Sequence, residues 1–156
     1  MTDLEQLVRI FSENGVRYVV IGGVALVLQG SSRVTQDLDI CYARTRDNLD
    51  ALARSLGPFH PRLRGAPPEL PFLWDAQTLR SGLNFTLATD IGDVDLLGDV
   101  PGLGGFDEVH SLSVAVSLFG HQVLLLGLDG LERAKRAAGR PKDLLDLEEI
   151  RALKKR

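Results

Sequence analysis

Two aspartates within a short apolar stretch are the residues of this sequence best suited to chemistry. Asp37 and Asp39 alternate with Leu38 and Ile40 in a stretch, residues 36–42, that the pattern predicts to be a strand. Successive side chains of a strand point to opposite faces, so both carboxylates would lie on the same face. Aspartate is depleted in strands and neighbouring like charges destabilise a sheet, so folding alone explains the pair poorly. A divalent cation explains it better, because Mg2+ is commonly held by one or two carboxylates together with substrate phosphates.

A glycine pair precedes these acids. The apolar run Tyr18 to Ile21 ends at Gly22-Gly23, and residues 24–29 are predicted to form a short helix directly after it. Bare glycine backbone at the start of a helix lets a phosphate approach amide donors and the positive end of the helix dipole. The same glycines would also suit a tight strand-to-helix turn that binds nothing, and both descriptions can hold together. Thr35, just before the acidic strand, either contacts substrate or simply favours extended backbone.

A third acid is expected from a later hairpin. Residues 83–89 and 93–97 are predicted to be its strands, with a turn at Asp90-Ile91-Gly92. Asp93 and Asp95 share one face of the return strand, and a site for two metal ions would require one more carboxylate from a neighbouring strand. We select Asp95, because Asp93 adjoins the turn and is explained as a turn residue.

A basic cluster near the end of the sequence supplies the richest local positive charge. Its members are Arg133, Lys135, Arg136, Arg140 and Lys142. A solvated helix face is the usual explanation of such a run. A triphosphate beside three carboxylates nevertheless needs counter-charge, so Lys135 or Lys142 is a candidate for facing a phosphate.

The combination of Gly22-Gly23, a short helix and Asp37-Leu38-Asp39-Ile40 resembles the signature of the polymerase-beta-like nucleotidyltransferase superfamily in its small bacterial forms. These include minimal nucleotidyltransferases, aminoglycoside nucleotidyltransferases and the toxins of type IV toxin-antitoxin systems. The resemblance implies a catalytic and metal-binding trio of Asp37, Asp39 and Asp95.

The resemblance also implies a cofactor, substrates and partners. It implies two Mg2+ ions, a nucleoside triphosphate such as ATP as substrate, and nucleotide contacts from Gly22, Gly23, Thr35, Lys135 and Lys142. The reaction would move a nucleoside monophosphate to a hydroxyl of RNA, protein or a small molecule and release pyrophosphate. In toxin-like relatives, a lysine on a helix followed by a Lys-Asp pair resembles Lys135 and Lys142-Asp143, which favours RNA as acceptor. A cognate antitoxin or a second copy of the chain is the implied protein partner.

Length and composition set the class of protein. The sequence has 156 residues, which we interpret as a single nucleotidyltransferase domain over 1–156. A formal net charge of −3 disfavours charge-driven coating of nucleic acid. Cys41 is the only cysteine, so no internal disulfide forms, and its apolar surroundings predict a buried thiol. The sequence shows neither a signal peptide nor a membrane-spanning run, so a cytoplasmic protein is expected.

The predicted elements define an α/β (α+β) fold with a mixed, mainly antiparallel sheet flanked by helices. Thr2 and Glu5 have capping-box spacing for a first helix, and Asp129 and Glu132 for a later one that ends at Gly139. A second hairpin is predicted to turn at residues 119–121. A last helix begins near Pro141, and its inward stripe is Leu144, Leu145, Leu147, Ile150 and Leu153. Residues 57–82, hereafter the Pro-rich segment, are expected to be mainly an irregular loop, either functional or without a role, with a short helix within residues 72–79.

Two other functions stay open at the level of sequence. One is a non-catalytic module of the same fold that binds a nucleotide or a partner, although three retained acids argue against it. The other is an antibiotic-type nucleotidyltransferase that modifies a small molecule. Its acceptor would then contact the Pro-rich segment or a second subunit.

Overall fold

The computed structural model of the chain describes residues 2–156, and within them the strands form one seven-stranded sheet in the order β3-β4-β5-β2-β1-β7-β6. The strands are β1 (Tyr18–Ile21), β2 (Leu38–Tyr42), β3 (Arg62–Leu63), β4 (Asn84–Thr89), β5 (Gly92–Leu97), β6 (Ser113–Leu118) and β7 (His121–Leu126). Among these residues β1 pairs parallel with β7, and β2 with β5, whereas the other four neighbouring pairs are antiparallel. The predicted mixed, mainly antiparallel sheet is therefore confirmed.

Helices flank this sheet, as predicted. They are α1 (Leu4–Glu13), α2 (Gly22–Leu28), α3 (Arg46–Leu56), α4 (Ala76–Ser81), α5 (Phe106–Ser111), α6 (Leu128–Ala138) and α7 (Pro141–Lys154). One cluster of buried apolar side chains joins them to the sheet, with Leu7 and Phe11 of α1 and Leu52 of α3 fully buried in it. Burial of this apolar surface is the main source of stability.

The two central strands are buried because their sequences are apolar on both faces. All four residues of β1 are buried, and Ile40, Cys41 and Tyr42 of β2 have no exposed surface. The predicted burial of the Cys41 thiol is confirmed, and this burial raises its pKa to about 12. The one charged side chain in β2 is Asp39, and the packing of its apolar neighbours Leu38 and Ile40 fixes its position.

Two predicted helix caps are wrong. Asp3, not Thr2, caps α1, and its side chain accepts a hydrogen bond from the Gln6 amide at 3.1 Å. The Thr2 hydroxyl instead lies between the main-chain carbonyls of Gln36 and Asp93, at 2.6 and 3.1 Å, and its single hydrogen is shared between these two acceptors. Thr2 therefore ties the loop before β2 to the start of β5.

The cap predicted at Asp129 is wrong because its side chain, like that of Thr2, binds elsewhere. Helix α6 begins at Leu128 after Gly127, which makes no side-chain cap, and Asp129 forms an ion pair with Lys154 of α7. The predicted end of α6 at Gly139 is confirmed, because Gly139 adopts φ +62° directly after Ala138.

The inward stripe of α7 is predicted correctly only in part. Leu147, Ile150 and Leu153 are buried, but Leu144 and Leu145 are 60% and 70% exposed. In their place Asp143 and Asp146 face inward, because both carboxylates form ion pairs with basic side chains of the protein.

The Pro-rich segment contains more regular structure than expected. It includes a short 3-10 helix (Gly57–Phe59) and strand β3 at the edge of the sheet, neither of which was predicted, and α4, which overlaps the short helix predicted within residues 72–79. Helix α5 is likewise absent from the sequence-based expectations. No helix within residues 2–156 has the length and apolar character needed to cross a bilayer.

Candidate active site

Two carboxylates meet at the centre of the sheet. Strands β2 and β5 run parallel, and their register places Asp39 directly beside Asp95. Register partners in a sheet point to the same face, so the side chains lie together, and both are half-buried. Leu38 and Ile40, which alternate with Asp39, are fully buried on the other face and hold this orientation. We call Asp39 and Asp95 the acid pair.

The acid pair is electrostatically unfavourable in its ionised form. Burial, followed by the charge of Asp95 and a hydrogen bond to it, raises the pKa of Asp39 from 3.8 to about 7. The charge of Asp37 acts in the same direction, and that of Lys135 opposes it. Asp39 Oδ1 is buried and has no hydrogen-bond partner within residues 2–156. The pair thus favours any bound cation or proton.

Asp37 lies outside the observed strand, so its predicted place in the strand over 36–42 is wrong. Strand β2 begins at Leu38, so Asp37 lies immediately before it, half-buried, and its main-chain carbonyl accepts a long hydrogen bond (3.4 Å) from the Thr35 hydroxyl. The strand is shorter than predicted because residues 31–37 pair with no strand in the described part of the chain. Asp37 acts on the acid pair through its charge.

The glycine turn lies against the acid pair. Ile21, the last residue of β1, is the register partner of Asp39, so Gly22 follows directly beside it. Gly22 has φ +65°, and a Cβ atom there would lie 2.5 Å from Asp39 Oδ2. A Cβ atom on Gly23 would similarly lie 2.9 Å from the Thr35 hydroxyl oxygen. The structure therefore brings Gly22, Gly23 and Thr35 together with Asp39.

Lys135 approaches the acid pair from α6. It lines a pocket of about 310 Å³ that it shares with Gly22, Asp39 and Arg140. Its ammonium group is held by Asp146 at 2.9 Å and Asp143 at 3.3 Å. We call the pocket the nucleotide-side pocket, because we propose that a nucleotide binds in it.

The acids of α7 belong to a larger ionic network. Arg33, from the loop before β2, contacts Asp146 at 2.8 Å, and Arg140 contacts Asp143 at 2.8 Å. The hydrogen bond from Arg140 is the largest cause that lowers the pKa of Asp143, to about 2. Asp143 and Asp146 thus stay ionised and fix Lys135 between the last helix and the sheet. Lys142 lies on the exposed side of α7, outside the residues that line the nucleotide-side pocket.

Solved structures share this architecture, although no family model and no curated protein matches the sequence. A lincomycin-bound lincosamide antibiotic adenylyltransferase, LnuA, superposes with a TM-score of 0.61 at 13% identity, over 97% of this chain and 98% of that one. A provisionally assigned nucleotidyltransferase of Thermotoga maritima gives 0.60 at 20% identity, over 100% and 97%. An antigenic nucleotidyltransferase-like protein of Paracoccidioides brasiliensis gives 0.55 at 15%, over 98% and 77%.

The chain has the nucleotidyltransferase fold. Both the recognised resemblance and the predicted fold class are confirmed at this level. Larger cavities occur elsewhere, such as a groove of about 440 Å³ beside Arg17 and His121, but no carboxylate lines it. Within the nucleotidyltransferase fold of this chain, the acid pair and its surroundings are therefore the candidate active site.

The acid pair has the donor chemistry for a hard cation. Two adjacent carboxylates, one with a buried oxygen that lacks a partner, offer the anionic oxygens that Mg2+ prefers. Within residues 2–156 no three His, Cys, Asp or Glu side chains form a metal-binding group on their own. A cation at this site would thus need further oxygens, and substrate phosphates are the usual source.

Arg64, in the Pro-rich segment, is a site residue to which sequence reasoning assigned no role. Its guanidinium group donates a hydrogen bond to Asp95 Oδ1 at 2.7 Å and lies 3.7 Å from Asp93. The only signal for it in the sequence was the spacing of Arg62 and Arg64, two residues apart. This spacing is compatible with an edge strand that has both side chains on one face.

We expect Gly22→Ala to destabilise the protein more than Gly15→Ala. Both glycines have similar positive φ, +65° and +67°, so both substitutions cost about 1–2 kcal/mol of backbone strain. Only the Cβ atom at Gly22 meets another group, Asp39 Oδ2, and this overlap adds about 1–3 kcal/mol. Urea denaturation of the two variants measures the difference, and equal losses would contradict the close contact.

We expect the free energy of unfolding, measured in EDTA, to fall as the pH rises from about 4 to about 7. The pKa of Asp39 is raised from 3.8 to about 7 in the folded state, so the folded protein binds a proton in this range that the unfolded chain has released. Asp39→Asn should flatten this part of the profile. Urea denaturation at several pH values tests it, and an unchanged slope in Asp39→Asn would refute the assignment to Asp39.

Proposed function

We propose that this protein is an enzyme that transfers a nucleoside monophosphate from a nucleoside triphosphate to a hydroxyl acceptor and releases pyrophosphate. The observation that carries the proposal is the acid pair in register on adjacent strands, with the glycine turn against Asp39. The nucleotidyltransferase fold of the chain supports the same reaction class.

Asp39 and Asp95 would hold Mg2+, and Asp37 would add negative charge beside them. When bound, Mg2+ supplies Lewis-acid stabilisation of the phosphate oxygens and of the attacking and leaving oxygens. The protein's own contribution is to keep two carboxylates side by side despite their repulsion. Their fixed positions on a rigid sheet orient the reacting groups before the reaction begins.

The triphosphate would occupy the nucleotide-side pocket. Gly22 and Gly23 have no side chains there, so phosphate oxygens can approach the main chain next to Asp39. Lys135 lines the same pocket, and its positive charge would offset that of the phosphates. Asp143 and Asp146 hold the ammonium group in place, so Lys135 is preorganised for this contact.

The acceptor would approach from the opposite side of the acid pair. A second pocket of about 280 Å³ lies there, lined by residues of the Pro-rich segment, Ala88 of β4 and Arg64. Ala88 is the register partner of Asp93, so this pocket opens on the same face of the sheet as the acids. In-line displacement requires the acceptor and the leaving pyrophosphate to lie on opposite sides of the reacting phosphorus.

We propose a small hydroxyl compound as the acceptor. The lining of this second pocket is largely apolar, with Pro67, Pro68, Leu70 and Phe72, which is typical of small-molecule sites. The name of the lincosamide adenylyltransferase describes an enzyme that acts on an antibiotic, and this chain covers 98% of its length.

An RNA acceptor, with the role of a toxin controlled by an antitoxin, is the second candidate, favoured by the sequence pattern of Lys135 and Lys142-Asp143.

Incubation with nucleoside triphosphates labelled at the α or the γ phosphate tests the reaction. We expect α label, and no γ label, to enter an acceptor when Mg2+ is present with a mixture of small hydroxyl compounds or with total RNA. Asp39→Asn should reduce transfer by about 10²–10³-fold, while Asp99→Asn, an exposed acid on the segment after β5, should have no effect. Transfer of γ label would instead indicate a phosphotransferase, and tight nucleotide binding without any transfer would support a binding module.

Substitution can show which of the two candidate lysines, Lys135 or Lys142, contacts the phosphates. We expect Lys135→Met to raise KM for the nucleoside triphosphate by about 10–100-fold, because a charge-assisted contact to phosphate is lost. Lys142→Met should leave KM unchanged, because Lys142 is exposed and does not line the nucleotide-side pocket. Steady-state kinetics at saturating acceptor provide the comparison, and the reverse order of effects would assign the phosphate contact to Lys142.

A further inference from the structure

Arg64 lies at the end of a row of side chains that crosses the sheet. Its main-chain amide donates to the Thr86 carbonyl at 2.9 Å, which extends the pairing of β3 with β4 by one position. Thr86 is the register partner of Asp95, and Asp95 is the register partner of Asp39. Arg64, Thr86, Asp95 and Asp39 therefore occupy successive positions of one row on the acid face.

The guanidinium group of Arg64 is anchored at two points. One nitrogen donates to the Leu87 carbonyl at 3.1 Å, and the other donates to Asp95 Oδ1 at 2.7 Å. The side chain is 31% exposed, and Asp93 lies 3.7 Å away. An arginine stays protonated at all physiological pH values, so a full positive charge rests on one oxygen of the acid pair.

We infer that Arg64 sets the affinity of the acid pair for a divalent cation by competing for Asp95. This inference rests on the proposed function, in which Asp39 and Asp95 hold the cation. A cation that binds the pair must share Asp95 with Arg64 or displace it, and both outcomes oppose binding. Arg64 also belongs to the Pro-rich segment, so cation binding is coupled to the contact between this segment and the acid pair.

The expected size of the effect follows from the charge of one guanidinium group. A neighbouring arginine lowers the proton affinity of an aspartate by about tenfold or more, because the two cations compete for one carboxylate. The exposure of Arg64 places the effect near the lower end of this range. Removal of the charge should thus raise cation affinity by about tenfold.

Arg62 provides a matched control. It lies two residues before Arg64, in β3 next to Ala88, and is exposed. Its one side-chain hydrogen bond within residues 2–156 is a long contact (3.4 Å) with the His60 carbonyl, and it contacts no carboxylate there. Arg62→Gln thus removes the same charge and the same kind of side chain without releasing Asp95.

Binding of Mn2+, measured by electron paramagnetic resonance on protein first treated with EDTA, tests the inference. We expect Arg64→Gln to bind Mn2+ about tenfold more tightly than the wild type, and Arg62→Gln to bind like the wild type. Equal or weaker binding by Arg64→Gln overturns the competition. An equal gain in both variants also overturns it, because the effect would then come from overall charge.

A measurement on the wild type keeps the inference testable if Arg64→Gln does not fold. In protein labelled with 15N-arginine, the Nε–H resonance of Arg64 should shift as Mg2+ is added, with the same midpoint as Mg2+ binding measured by displacement of Mn2+. A resonance that stays unchanged at saturating Mg2+ overturns the inference. Wild-type binding with no gain in Arg64→Gln refutes the role of Arg64 alone, whereas absence of binding in all variants refutes the proposed metal site as well.

Discussion

Repulsion between two carboxylates in register is the constraint on which the rest of the site depends. Asp39 and Asp95 lie side by side on parallel strands, where burial makes the ionised pair costly. The sheet does not relieve this cost by moving them apart, because the apolar neighbours of Asp39 are locked in the core. The positive charges of Arg64 on one flank and Lys135 on the other offset the repulsion instead. The pKa of Asp39, between them, is raised, so a proton can also neutralise the pair.

The two flanking cations are held in different ways, which gives the two sides of the site different properties. Lys135 is fixed by Asp143 and Asp146, and Arg33 and Arg140 in turn fix these acids. Asp143 is completely buried, so this network is only weakly screened by salt. Arg64 is more exposed and bonds directly to the acid pair. The position of Lys135, on the nucleotide side, is thus fixed in advance. The position of Arg64, on the acceptor side, depends on whether another cation binds Asp95.

The parts of the fold that the sequence predicted are those with local signals. Alternating apolar residues and glycine-containing turns predicted both hairpins, and Gly139 with Pro141 marked the junction of the last two helices. The choice of Asp95 as a third acid came from the period of two in its strand together with the family resemblance, whereas its parallel pairing with Asp39 was not predicted. These signals act over a few residues and need no knowledge of tertiary contacts.

What the sequence missed depends on contacts between distant residues. Arg64 meets Asp95 across 31 positions, and Arg33 meets Asp146 across 113, so neither pairing leaves a local pattern. The same contacts explain the error in α7, where the ion pairs of Asp143 and Asp146 turn these acids inward and leave Leu144 and Leu145 exposed. Tertiary ion pairs here override the hydrophobic periodicity on which the prediction relied.

The buried thiol of Cys41 makes the central strand observable without any engineered label. Only the thiolate reacts with disulfide reagents. In the folded protein, burial blocks access to the thiol, and a pKa of about 12 keeps it protonated. Modification therefore requires an opening of the protein that exposes the Cys41 side chain, and its rate reports the free energy of that opening. Asp39 lies two residues before Cys41 on the same strand, so a ligand that binds the acid pair slows this reaction wherever the opening also disrupts the pair. The modification rate of this single native cysteine thus reports whether the site is occupied.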